Sequence, residues 1–494
     1  MTATRTQMFI DGTWRDAASG LTRPVYNPSD GTVVAEVAEG SSADATAAVD
    51  AAQAAFPAWS STPAAERASH LYAIAAKLRE REEELARLVV AEQGKPISEA
   101  RGEIGGTIGF FEYYAGLART ITGEILPSDL PDEEIWIRRV PHGVVVGIIP
   151  WNYPSALTAR KVAPAIVAGN TVVLKPHEDT PLSALAVMEV IEQSDLPAGV
   201  VNVVMGAGTD VGAALVRDAR TAFVTMTGSV RAGRQILTDA AERITPVSLE
   251  LGGKAPLIVM DDADLDIAIP SAVTSRYMNC GQVCICNERT YVHRSIYDDF
   301  VERYVDAVSA LKIGDPMDAA TDIGPKINRP ERDKVAAMVD QARAAGATVR
   351  LGGHVLEEGA QAAGHWYAPT VLTDVDHSMP LLHDEIFGPV TPIMAFDEGE
   401  EVVDLANDSR YGLSAYIFTN DFQRAMRAIN DIRFGEIYLN RIGPEALQGF
   451  HVGYRQSGLG GDDGTHGLDL YLQRQTVYAN YSGRAMDGLM PYGD

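Results

Sequence analysis

From residue 143 to residue 251 short apolar runs alternate with stretches of helical character, the runs falling at 144–149, 171–174, 200–204, 222–225 and 247–249. Strands spaced by helices line up as a parallel sheet with helices laid over it. A second region of the same kind extends from about 254 to 461, with strand candidates at 256–260, 290–293 and 415–418. An α/β protein is therefore expected. At 494 residues and 46% hydrophobic composition the chain exceeds one core, so two or three domains are expected. No internal repeat, low-complexity tract or Gly/Ser linker interrupts it, which makes those domains packed rather than tethered.

The first 120 residues read mainly as helices. Ser42 precedes the Ala-rich stretch 43–56, Leu71, Ile74, Ala75 and Leu78 recur at helical spacing, and Gly94 and Pro96 supply a stop. Residues 121–140 change to short β-like pieces around Pro127, Pro131 and the acidic run 132–134. They are expected to form an exposed hairpin arm whose Ile135, Trp136 and Ile137 pair with another chain. The segment 473–481 is again β-like, and 482–494 reads as a loose tail.

A formal charge of −26 repels nucleic acid and anionic membrane surfaces, so neither is an expected partner. The first 14 residues have no signal-like apolar region, and the longest apolar runs fall far short of the roughly 20 residues a membrane span needs. A cytoplasmic location is expected. The three cysteines, Cys280, Cys284 and Cys286, crowd into one short window, which suits a reducing compartment and not a disulfide framework. Structural zinc needs four ligands, so no metal is expected of this trio.

Three positions carry reactive chemistry. Cys284 follows the Gly-containing turn Gly281, Gln282, Val283, a placement that can present a thiol to a cleft. Glu250 ends an apolar run ahead of Gly252 and Gly253, where burial would raise its pKa and fit it for base work. Asn152 lies in Pro150-Trp151-Asn152-Tyr153-Pro154, a turn that points an uncharged amide inward, suited to a developing oxyanion. Taken singly, each has a plainer reading: a buried hydrophobe, an ion-paired carboxylate, a turn former.

Together, Asn152, Glu250 and Cys284, in that order and with base and nucleophile 34 positions apart, resemble the aldehyde dehydrogenase superfamily over about 8–481. Local wording at 249–265 and 448–472 is similar to the lactaldehyde and glycolaldehyde dehydrogenase branch. The resemblance implies a Rossmann-like NAD-binding domain (1–119 and 142–252), an α/β catalytic domain (253–465) and small β oligomerisation elements (120–141 and 470–494). It further implies that Cys284 attacks an aldehyde, that Asn152 and the Cys284 N–H hold the alkoxide, and that Glu250 activates the water that hydrolyses a thioester. Acyl-transferring members that use coenzyme A typically lack this Glu, so a free acid is the implied product.

For the cofactor, NAD, the resemblance carries over Ile149, Trp151, Lys175, Glu178, Gly208, Gly228, Ser229, Leu251, Glu385 and Phe387. Ser229 is placed near the pyrophosphate, Lys175 and Glu178 at the adenine ribose, Glu385 at the nicotinamide ribose and Phe387 beneath the ring. An acid at the 2′-hydroxyl disfavours a 2′-phosphate, hence NAD over NADP. Tyr153, Arg160, Ile285 and His451 fall at substrate positions. Arg160 and His451 replace aromatics, which implies a polar tunnel and a small hydroxylated or anionic aldehyde, Arg160 offering a planar donor fork. Ile285 stands where the lactaldehyde branch carries Asn. Semialdehyde, sulfolactaldehyde and betaine aldehyde are alternative substrates, and a silent structural or redox-sensing relative is the non-enzymatic alternative. The arm and terminal strand imply a homotetramer built from dimers.

Overall fold

The apolar runs between 143 and 251 become five parallel strands, Val144–Ile148, Thr171–Lys175, Val201–Val203, Thr221–Thr227 and Val247–Glu250, in the computed structural model, which describes residues 5–397 and 399–484. Across the sheet they stand fifth, fourth, first, second, third. The order reverses direction between the first and fourth strands, so their carboxyl ends diverge around a crevice, the place where open α/β sheets bind ligands. Val144, Val145, Val146, Val172 and Val173 are fully buried, which is why these strands read as continuous apolar runs instead of alternating ones.

The amino-terminal region departs from the helical reading. Strands Met8–Ile10 and Thr13–Arg15 form a hairpin that extends the first sheet beside Val201–Val203, and Thr22–Tyr26 pairs with Val33–Ala38. These strands are three to six residues long and were hidden by their brevity and by Pro24. The helices expected after them are present as Ser42–Ser61, Ala64–Glu80, Glu82–Gln93 and Ile97–Leu117. The first is capped by Ser41, not Ser42, with the Asp44 carboxylate accepting the Ser41 N–H at 2.9 Å. Gly94 ends the third helix in the left-handed conformation (φ 88°), and Pro96 opens the fourth.

The second sheet runs Thr348–Leu351, Thr370–Thr373, Val390–Phe396, Asn287–His293, Ala255–Val259, Ser414–Phe418, Glu436–Leu439, all parallel except the first. Four of these, at 348–351, 370–373, 390–396 and 436–439, were not anticipated. The chain then returns to the first sheet, where Gly458–Leu459 pairs with Val247–Glu250 and Leu468, Tyr471 and Leu472 join its core.

Strands Glu124–Pro127, Glu133–Pro141 and Leu472–Asn480 make a separate antiparallel ladder. Ile135 lies opposite Leu126 on one side and Tyr478 on the other, so the segment 135–137 has both edges filled within its own chain, contrary to the pairing expected of it. The free edges belong to the outer two strands, and the arm exposes Ile125, Trp136 and Tyr478. The expected loose tail lies outside the described residues from 485 onward. Among the described residues no helix is long and apolar enough to cross a membrane.

Candidate active site

Glu250 is the last residue of the fifth strand of the first sheet, and five residues later Ala255 opens a central strand of the second. Asn152 follows the first strand, and Cys284 precedes Asn287–His293. The carboxyl edge of one parallel sheet therefore faces the amino edge of the other, with the three expected residues on the turns between them.

The turn carrying Cys284 is unusual in its backbone. Asn279 (φ 49°), Cys280 (φ 56°) and Gly281 (φ 70°) are successive left-handed residues, a conformation that surrounding contacts must enforce. Glu99 accepts the Asn279 N–H at 2.8 Å, Gln93 donates to the Asn279 side chain at 2.9 Å, and Arg276 donates to the Gly281 carbonyl at 2.7 Å. Gly253 closes the other side, where a Cβ would stand 2.4 Å from the Cys284 carbonyl oxygen. Cys280 and Cys286 are buried, and burial pushes both thiols up to about 12. Cys284 alone of the three keeps some exposure. Burial raises its thiol as well, while the adjacent His451 ring draws it back toward the thiolate.

Behind Asn152 lies a buried network that the sequence did not disclose. Lys95, at 1% exposure, donates to Glu103 (2.6 Å) and to the Asn152 carbonyl (2.8 Å), and its ammonium sits 3.5 Å from the centre of the Tyr153 ring. Asn279 donates to the same carbonyl at 3.0 Å. With its backbone clamped, Asn152 gives one amide hydrogen to the Gln282 carbonyl at 3.0 Å and retains a second. Gly94 and Pro96 mark the turn around Lys95, but nothing local relates it to a residue 57 positions away.

Glu250 is 2% exposed, and neither carboxylate oxygen has a hydrogen-bond partner. Burial pushes it up to about 8, against the pull of His451, whose Nε2 is 3.5 Å from Glu250 Oε2. Burial also opposes charge on His451, yet Glu445 and Glu436 outweigh it and hold the imidazolium well above its ordinary range. Glu436 lies 3.1 Å from His451 Nδ1 and Glu445 lies 3.7 Å away.

Arg160 departs from expectation. Its guanidinium is 8% exposed and already engaged, by both oxygens of Asp463 and by Glu445, while neighbouring Lys161 binds Asp462 at 2.6 Å. The fork expected to meet a substrate anion is thus filled by the chain's own carboxylates, because Glu445, Asp462 and Asp463 converge on it from the segment that returns between the sheets. Ile285 is 5% exposed and packs with Val283, Cys286 and Leu413, offering a substrate little surface. Tyr153 remains partly open.

Of the expected dinucleotide residues, all but Glu385 and Phe387 follow or end strands of the first sheet. Thr227, Gly228 and Ser229 lead into helix Val230–Ala241, whose N-terminus Ser229 caps by accepting the Ala232 N–H, a setting that favours an anion. Lys175 ends the second strand within 3.4 Å of Glu178, and Glu178 accepts the Gly208 N–H at 2.7 Å. Ile149 is buried, and Leu251 packs beneath Gly233 of the helix. Glu385 accepts the Gly253 N–H at 2.8 Å, joining the carboxyl edge of the first sheet to the Cys284 turn. Trp151 and Phe387 meet edge to face at 5.4 Å. Phe387 is left-handed (φ 53°) and is held by Glu288, which accepts its N–H at 2.8 Å, the Ile386 N–H at 2.7 Å and the Lys254 ammonium at 2.7 Å. A capped helix N-terminus, a carboxylate beside a buried ammonium and a braced aromatic fit a dinucleotide.

Known proteins match this chain in sequence and in fold. The model described as "Aldehyde dehydrogenase family" matches residues 14–477. The chain is 46% identical over 477 residues to 3,6-anhydro-alpha-L-galactose dehydrogenase of Vibrio sp. (strain EJY3), covering 97% of this chain and 99% of that protein. It is 39% identical over 477 residues to D-glyceraldehyde dehydrogenase (NADP(+)) of Picrophilus torridus, covering 96% of each. The solved structure of lactaldehyde dehydrogenase from Escherichia coli superposes with a TM-score of 0.94 at 46% identity, over 96% of this chain and 99% of that one. Matched in sequence and in fold across nearly its whole length, the chain belongs to the aldehyde dehydrogenase family.

Proposed function

We propose that this aldehyde dehydrogenase oxidises a small, uncharged, hydroxylated aldehyde to its carboxylic acid with NAD. The observation that carries the substrate class is the charge around the thiol. Glu436, Glu445, Asp462 and Asp463 outnumber Arg160, Lys161 and His451, and the cations are committed to these carboxylates. An anionic aldehyde would meet net negative charge and no free donor fork. A hydroxylated one finds acceptors in Glu436 and Glu445. The names of the relatives, an anhydrosugar and a lactaldehyde dehydrogenase, support the same class.

Cys284, as thiolate, bonds to the aldehyde carbon, and the oxygen takes the negative charge beside the remaining Asn152 N–H and the Cys284 backbone N–H. A bound nicotinamide supplies the acceptor for the hydride that leaves this tetrahedral carbon as it collapses to a thioester. Glu250 then takes a proton from water, whose oxygen attacks the thioester carbon, and the C–S bond breaks to release the acid and the thiol. Glu250, buried without hydrogen-bond partners, suits this duty better than a solvated carboxylate would.

NAD is favoured over NADP because Glu178, which accepts the Gly208 N–H beside Lys175, would repel a 2′-phosphate at the adenine-ribose position that the family resemblance implies for it. The reading extends to a nucleotide-binding domain of 1–119 and 142–252, a catalytic domain of 253–465, and a tetramer formed through 120–141 and 470–494, the exposed Ile125, Trp136 and Tyr478 supporting the last. A panel of kcat/KM values with each coenzyme tests the function. Lactaldehyde, glycolaldehyde and 3,6-anhydrogalactose should outrank hexanal and succinate semialdehyde, with NAD above NADP; a preference for hexanal or succinate semialdehyde overturns the substrate class, and a preference for NADP overturns the coenzyme.

A further inference from the structure

On the far side of the Glu385 segment stands a cluster that none of the chemistry above uses. His377 lies on the loop after strand Thr370–Thr373, His383 follows the short turn Pro380–Leu382, and Asp408 follows helix Gly399–Asn407. One ligating atom from each lies within 4.8 Å of the other two. His377 Nε2 and Asp408 Oδ2 are 3.0 Å apart, and the two imidazoles meet edge to face at 5.1 Å. We propose that His377, His383 and Asp408 form a divalent transition-metal site of the zinc type, completed by water, that braces the segment leading into Glu385.

Two imidazoles and one carboxylate suit zinc and its neighbours, and three protein ligands leave a position for solvent. Imidazoles that bind metal characteristically give their other nitrogen to a fixed oxygen, which sets the tautomer and aims the lone pair. Both rings have such partners. His383 Nε2 is 2.7 Å from the His377 carbonyl, so the lone pair of that ring rests on Nδ1. His377 Nδ1 is 3.4 Å from the buried Tyr291 hydroxyl, which can accept or donate, so the ring can move its proton to Nδ1 when Nε2 takes a metal. Ligands about 2.0 Å from zinc sit roughly 3.3 Å from one another in a tetrahedron, so the cluster must contract. Asp408, with its side chain 67% exposed, is free to supply that movement. A simple His377–Asp408 ion pair accounts for neither the convergence of His383 nor its carbonyl anchor.

The site has a structural consequence. Asp384 pairs with Arg410 at 2.7 Å, so residues 383–384 and 408–410 are already latched once, directly before Glu385. A metal at His377, His383 and Asp408 adds a second latch that does not strain with salt concentration as the exposed ion pair does.

Isothermal titration of Zn2+ into the full-length Cys284→Ala protein, which lacks the accessible thiol that would compete, tests the site. One Zn2+ per chain is expected, with an accompanying rise in Tm. Asp408→Asn and His377→Gln should each weaken binding about tenfold or more, whereas His451→Gln, in the separate Glu436, Glu445, His451 cluster, should leave it unchanged. Asp408 is exposed, so its variant folds even if His377→Gln, beside Tyr291, does not. Absence of stoichiometric binding, undiminished binding by Asp408→Asn, or a loss confined to His451→Gln overturns the proposal.

Discussion

Replacing Arg160 with Leu separates a structural role for this guanidinium from a substrate-binding one. The side chain holds Asp463 and Glu445 in a region where Arg160 is 8% exposed and Asp463 1% exposed. Removing one partner from a buried ion pair leaves charge uncompensated and costs about 3–5 kcal/mol. At roughly 2 °C per kcal/mol for a large domain, Tm should fall by about 6–10 °C. Arg160→Lys keeps the charge but loses the two-pronged contact with Asp463, and should fall between parent and Leu variant. Because Asp463 is the main partner, Asp463→Leu added to Arg160→Leu should recover stability by about 1 kcal/mol or more relative to the sum of the two single changes. Circular dichroism melts at one scan rate, read beside steady-state kinetics with lactaldehyde and succinate semialdehyde, make the comparison. An Arg160→Leu protein that melts with the parent and selectively raises KM for the anionic aldehyde would refute the reasoning.

Two further outcomes follow from the same geometry. Burial holds Glu250 at about 8, and the base is active only when ionised, so the hydrolytic step should speed up as pH rises through that value; stopped-flow traces from pH 6 to 9 should show the steady-state phase climbing, where an ordinary carboxylate would give a flat line. Gly253→Ala drives a methyl into the Cys284 carbonyl at 2.4 Å, displacing the nucleophile, and kcat/KM should drop by about 10² or more with far-ultraviolet dichroism retained.

The parallel strands of the first sheet were legible because burial on both faces writes them as unbroken apolar runs, as at Val144 to Val146. The amino-terminal strands were not, since three-residue pieces such as Met8–Ile10 take their conformation from the Val201–Val203 edge they join. In the site, Asn152, Glu250 and Cys284 stood out only together, by their order and spacing, since each alone has a plainer reading. The groups that hold them did not: Lys95 reaches Asn152 across 57 residues and Glu288 reaches Phe387 across 99, distances over which a sequence carries no periodic signal. The carboxylate partners of Arg160 were hidden for the same reason, Asp463 being 303 residues away.

The most direct test is the covalent one. Glu250→Gln keeps the shape of the site and removes the base, so mixing that protein with NAD and lactaldehyde should give a burst of NADH near one equivalent per chain, with mass spectrometry finding the acyl group on the peptide that contains Cys284. A Glu250→Gln protein that turns over at the parental rate, or one that produces NADH with Cys284 unmodified and stays active when Cys284 is also changed to Ala, would contradict the thioester mechanism.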